Sequence, residues 1–299
     1  MKIRIGGQAV SDGVMMRSDN YISTAVRTSK GKISVRTREY HSITESNKFL
    51  GLPFIRGIVT LFELMGLGLK EMMWASNKNM KKEERLSKKE IIFAIVLSIV
   101  IALVIFKLIP WALANFVSKI FGPLGIWLNV IDAVFKILIL IGYFSLLGLS
   151  KEIGDLFGYH GAEHKTVSCY EKKLKLTPQN AAKCSRIHPR CGTTFVFIVF
   201  LVGIFFYVLI PPATGFWLNY LIRILLLPLI AGVAYELIRL EGKYSNNRFV
   251  KWIIWPGLQF QRLTTKNPSK KQIEVAIVAL SACIQKEEIR FKLSAKKVK

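Results

Sequence analysis

The sequence predicts an α-helical polytopic membrane protein: about four transmembrane helices, one interfacial or re-entrant helix, and a small cytoplasmic β element at the amino end. Three observations predict it. The chain of 299 residues is 52% hydrophobic with a mean hydropathy of +0.36, too apolar for an ordinary soluble domain. Its apolar residues gather into four long runs, each near the ~20 residues that cross a bilayer core. Its basic residues avoid the short connections between those runs.

Residues 1–50 read as the β element. Ile22–Arg27 and Ile33–Arg38 are two β-prone runs, and Ser29-Lys30-Gly31-Lys32 between them supplies a hairpin turn. The Gly-punctuated stretch Gly6–Arg17 matches no phosphate-binding loop and reads as tight turns in the sheet. Residues 51–90 hold an apolar helix over Pro53–Ala75, broken by Gly57, Gly66 and Gly68 and carrying Arg56, Glu63 and Lys70. It is too polar for a span and too apolar for a free surface helix, so an interfacial or re-entrant placement fits. A charged linker, Lys78–Lys89, follows.

Residues 91–149 hold the first two spans: Ile91–Pro110, with Lys107 as its one charge, and Leu124–Leu149, interrupted by Asp132 and Lys136. Residues 150–192 form a cytoplasmic loop. Residues 193–240 hold the third and fourth spans: Thr193–Ile210, which is uncharged, and Phe216–Leu240, which carries Arg223, Glu236 and Arg239. A buried core helix would explain any one of these runs, but four in one chain argue for spans. Glu236 within a span implies a partner or a cavity; Arg239 is the bland partner, and a reach to the central loop is the functional alternative. Residues 241–299 return to the cytoplasm, with Trp252, Trp255 and Pro256-Gly257 as an aromatic anchor and turn, and Gln272–Leu280 as a short helix.

The net charge is +24. Lys and Arg number 17 in residues 1–90, 8 in 151–192 and 13 in 241–299, whereas the connections Trp111–Pro123 and Pro211–Gly215 hold only Lys119. This is the positive-inside signature of a multi-pass protein of the inner (cytoplasmic) cell membrane with both termini cytoplasmic. The same excess attracts anionic lipids of the bilayer. No nucleic-acid-binding module is recognisable, so nucleic acid is not an expected partner. Met1–Gly7 has no apolar run, so no cleaved signal peptide is expected. The four cysteines fall in cytoplasmic segments, where metal ligation or burial is favoured over disulfides.

The chemistry concentrates in the central loop. His160-Gly161-Ala162-Glu163-His164 spells H-x-x-E-H. On a helix, positions i and i+4 share a face, so both imidazoles can reach one ion, with Glu163 beside them as a general base. The bland reading is two helix-surface or capping histidines. Glu171 lies seven residues past His164, near the same face if the helix continues to a stop at Thr177-Pro178. Farther on, His188 and Cys191 stand three apart, a common spacing for paired ligands. Two sets therefore compete. His160, His164 and Glu171 would leave a position for water and make a catalytic site, whereas His160, His164, His188 and Cys191 would make a saturated structural one; a mixed site of three ligands plus water is a third arrangement. Imidazole and thiolate donors suit Zn²⁺, although iron or manganese also fits.

Several motifs together resemble the YqhQ-like family of bacterial membrane proteins (domain of unknown function 1385): Gly6–Val10, Gly13–Arg17, Pro53–Gly57, Ala162–Lys165, His188–Thr193 and Gln261–Thr265. Asp12 stands where the family leads one to expect Glu before Gly13. The resemblance implies a membrane protein over nearly the whole chain and a metal-dependent enzyme, with no substrate specified. The functional expectation is a membrane-embedded metal-dependent hydrolase acting on a peptide or lipid-linked bond at the cytoplasmic face. Glu163 would be its base, and Arg190 or Lys165 would stabilise negative charge as it develops. The alternative is a transport, assembly or scaffold factor with a structural metal.

Overall fold

The computed structural model describes residues 3–211, 214–244 and 247–297; the connection Pro211–Gly215 and the two chain ends lie partly outside them. Four strands, β1 (Gly6–Val10), β2 (Gly13–Arg17), β3 (Tyr21–Arg27) and β4 (Ile33–Glu39), pair antiparallel in sequence order. Val10 pairs with Gly13, leaving Ser11-Asp12 as a two-residue turn with Asp12 at φ 53°, a conformation that Asp tolerates better than most residues. The expected second hairpin forms, and Gly31 takes φ 81° in its turn.

Side chains alternate between two covered faces, so β2 is buried along most of its length. Val10, Met15, Ile22 and Val26 meet α2 (Ile55–Asn79) through Leu67 and Ala75. Val14, Met16 and Ala25 meet α6 (Lys151–Glu171) and α12 (Lys270–Lys297). The β element is thus the middle layer of a body built from both ends of the chain and its centre.

A one-turn helix, α1 (Ile43–Ser46), precedes α2. The buried Glu71 of α2 accepts from Thr24 at 2.6 Å and pairs with Arg36 at 2.9 Å and Arg38 at 2.6 Å. The start of α2 packs on α10 (Leu227–Tyr244), where a Cβ on Gly57 would lie 2.8 Å from that of Tyr235. The partner of Glu236 is Arg56, which donates to it twice at 2.8 and 2.5 Å. The helix read as interfacial therefore joins the sheet to the apolar helices.

α3 (Lys88–Leu103) opens with a Ser87/Glu90 capping box. A π-helical turn, Val104–Leu108, links it to α4 (Ile109–Phe121), giving one apolar helix of 34 residues. Pro110 cannot donate to the carbonyl four residues back, and the helix widens just before it. The connection expected from Trp111 is thus helical as far as Phe121. α5 (Trp127–Leu147) follows.

α6 closes at Glu171, earlier than expected, because Lys173 turns left-handed at φ 58° and the Leu174 N–H bonds back to Cys169 O at 3.1 Å. Thr177-Pro178 instead begins a helix, α7 (Pro178–Ala182), with Thr177 as its cap and Pro178 in the first position, where a missing N–H costs nothing. α8 (Gly192–Val208) has 17 residues. α9 (Phe216–Leu225) and α10 are bent by 43° at Leu226, two residues before Pro228. α11 (Arg248–Thr264) runs through Pro256, so no turn forms there, and the short helix expected near Gln272 extends over 28 residues as α12.

The chain is mostly helical with a small amino-terminal antiparallel sheet. By length and composition two helices can cross a membrane, Lys88–Phe121 and Trp127–Leu147; the bent pair α9–α10 makes a third, and α8 is a shorter apolar helix.

Candidate metal centre

Small residues on α6 set the geometry. The segment after α11 lies directly on this helix, and a Cβ on Gly161 would come within 2.1 Å of Lys266 O. That close approach lets Thr264 O accept from His160 Nδ1 at 2.9 Å. One turn on, His164 Nδ1 donates to Arg186 O at 2.6 Å. A carbonyl can only accept, so the Nδ1 atom of both rings carries hydrogen, and Nε2 is the atom each ring offers to a ligand. Fixing the ring through its other nitrogen is how metal-binding histidines are usually held.

The third member comes from the start of α8. Cys191 caps that helix, its Sγ accepting from the Thr193 N–H at 3.4 Å, and lies 3.2 Å from His160 Nε2. The ligand atoms of His160, His164 and Cys191 all fall within 4.8 Å of one another, the one such group among the described residues. These donors fit a borderline ion such as zinc.

Glu163 sits beside this trio. Its Oε2 is 3.3 Å from His164 Nε2. The backbone of β1 covers the carboxylate: a Cβ on Gly7 would stand 2.8 Å from Glu163 Cγ.

The other sequence candidates are placed elsewhere. His188 Nε2 meets Glu171 Oε2 at 3.2 Å, and Arg190 pairs with the other oxygen of Glu171. The His188 and His164 ring centres are 5.8 Å apart, so this ion-paired set borders the trio. Lys165 Nζ donates to Ala182 O and Cys184 O at 2.7 and 2.8 Å, closing the end of α7. Burial holds its ammonium below the ordinary lysine value. Four supporting residues had no role in the sequence reading. Thr264 and Arg186 act through backbone carbonyls. Gln261 spans the His188 N–H, its carbonyl and Thr194 Oγ1, and Thr193 Oγ1 lies 3.1 Å from Cys191 Sγ. The run Gln261–Thr265 was the available signal.

A sheet-capped helical protein with a His–His–Cys cluster is the class that the fold and site define. The chain belongs to the family described as "Protein of unknown function (DUF1385)", which matches residues 52–286. It is 33% identical over 298 residues to the "Uncharacterized protein YqhQ" of Bacillus subtilis (strain 168), covering 95% of this chain and 93% of that protein. No solved structure matches it.

Proposed function

We propose that this protein is a membrane-embedded, metal-dependent hydrolase acting at the cytoplasmic membrane face on a peptide or lipid-linked bond. The observation that carries the proposal is the convergence of two carbonyl-anchored imidazoles and a thiol with Glu163 alongside. His160, His164 and Cys191 would hold the ion, leaving one tetrahedral position open, as catalytic zinc sites do. Zinc there would supply Lewis acidity and make water acidic near neutral pH. Glu163 takes the proton, and the Gly7 backbone of β1 packed against its side chain keeps the carboxylate in place. Arg190 and Lys165 are engaged with Glu171 and with the end of α7, so no charge-stabilising role is assigned to them.

The membrane reading takes support from the packing of distant segments. One apolar cluster unites Ile5–Ala25, Tyr159–Cys184 and Ile273–Cys283, so these three regions share one side of any bilayer. The chain must then cross an even number of times between each pair. Two crossings through α3–α4 and α5, and two through α8 and α9–α10, satisfy that parity, with the basic segments inside.

A rival reading has its own observation. Glu163, His164 and Cys191 are 5%, 2% and 7% exposed, which suits a metal that clamps α6 to α8 without chemistry. Two variants separate the readings. Purified protein should contain about one zinc equivalent, lost in the His160→Ala, His164→Ala double variant; equal content in both would end the metal proposal. Glu163→Gln should keep metal and fold yet fail to complement a deletion strain. Full complementation would establish the clamp.

A further inference from the structure

A second polar cluster lies inside the apolar helices. Asp132 and Lys136 of α5 pair at 2.5 Å, and Arg223 of α9 pairs with Asp132 and with Asn129 while its Nε donates to Asn219 at 2.6 Å. Lys107, on the π turn, donates to Tyr207 Oη at 2.5 Å. Asp132, Lys136 and Arg223 are each no more than 3% exposed. Asp132 stands 15 residues from the end of α5, roughly 22 Å along the helix, so the cluster is well removed from the His–Cys centre that follows.

Three basic side chains here surround one carboxylate among the described residues. Charge imbalance of this kind is costly away from water unless something compensates it. Arg223 is spent on Asp132 and the two asparagines. Lys107 and Lys136, which also lie over the Tyr207 ring at 4.8 and 4.6 Å, line a cavity of about 350 Å³, whose remaining walls include Leu103, Phe106, Phe144 and Phe200. Asp132 also lines it, and its Oδ1 is buried without a hydrogen-bond partner. The rim residue Ile99 is 54% exposed, so the cavity meets the outer apolar surface of the helices. Its Lys107 side is set by the π turn, a local widening often found at functional sites.

We propose that this cavity binds one phosphate-headed lipid of the phosphatidylglycerol type. Lys107 and Lys136 take the phosphate, and Asp132 Oδ1 accepts from a head-group hydroxyl. The aromatic and leucine wall takes the upper part of the acyl chains. The phosphate closes the charge deficit, and the hydroxyl satisfies the orphaned oxygen. A lipid is favoured over a soluble anion because the cavity opens through apolar residues. The site rests on the membrane part of the function proposed above and is independent of the metal.

The test is native mass spectrometry of the full chain, delipidated in dodecyl maltoside and titrated with phosphatidylglycerol, with phosphatidylcholine of the same chains, or with phosphatidylglycerol plus inorganic phosphate. One phosphatidylglycerol should be retained with about tenfold preference over phosphatidylcholine, the size expected for one charged hydrogen bond. Lys107→Met with Lys136→Met should abolish that preference. Leu103→Trp, which keeps every charge and narrows the cavity, should also lose the lipid, so the proposal survives a lysine variant that fails to fold. Lys119→Gln removes an exposed charge outside the cavity and should change nothing. Equal retention of both lipids, or equal loss in Lys119→Gln, would overturn the site. Displacement by millimolar phosphate would overturn the lipid assignment in favour of a soluble anion. Extraction of the chain from cells without detergent would instead overturn the membrane reading itself.

Discussion

At the residue scale, the proposed ligand set turns on where two neighbouring side chains go. His188 and Cys191 are three apart in sequence, yet Pro189 and the cap of α8 separate them. The imidazole meets Glu171, and the thiol meets His160. Cys191→Ala should therefore weaken zinc binding by more than the ~10–100-fold that loss of a supporting group costs, whereas Glu171→Gln should leave it unchanged. Metal titration against a chelator of known affinity measures both. A loss with Glu171→Gln alone would move the ion toward His188. The sequence made His160, Glu163 and His164 legible because helical spacing is a local property. It left the choice among Glu171, His188 and Cys191 open because that choice depends on a tertiary turn. The carbonyls of Thr264 and Arg186 were invisible, since a backbone acceptor has no residue signature.

At the scale of elements, the glycines of α6 carry the argument. Gly161 allows the Lys266 backbone to lie against the helix, and through it Thr264 O reaches His160. Gly161→Ala should destabilise the protein by about 1–3 kcal/mol, the usual cost of overpacking, and lower zinc affinity with it. Gly6→Ala, where nothing lies within 4 Å of the added methyl, should leave both unaltered. Thermal unfolding in detergent with and without zinc reads the difference. Hairpins and apolar helices were legible from alternation, turn residues and run length. Helix ends were less so. Thr177-Pro178 signals a helix start as readily as a stop, and the left-handed Lys173 that ends α6 has no sequence mark of the kind glycine gives. Pro256 illustrates the same ambiguity, for α11 continues through it.

For the whole molecule, the three segments gathered around the sheet would share one side in the proposed membrane arrangement. Reporter cysteines test it. In a chain whose native cysteines are all buried, Lys119→Cys should react with a membrane-impermeant maleimide added to intact cells, and Lys175→Cys should react only after lysis. The reverse pattern would invert the orientation, and equal reaction at both would remove the crossing through α5 that separates them. Composition and charge asymmetry are the sequence grounds for the proposed arrangement. They could not show that the carboxyl-terminal helix completes the amino-terminal sheet, because no periodicity records which distant faces will meet.

That last contact constrains the order in which the protein can be made. Cys283 bonds to Tyr21 O across 262 residues, and at a translation rate of ~5–20 residues per second the sheet waits on the order of 10–50 s for its cover. Throughout that time Val14, Met16 and Ala25 sit uncovered on a growing nascent chain. Ribosome-bound chains arrested before Lys270 should therefore be cut by protease within residues 1–40, and full-length chains should resist. The His–His–Cys cluster shares this schedule, since Thr264 leaves the exit tunnel long after His160, so it is completed only near the end of synthesis.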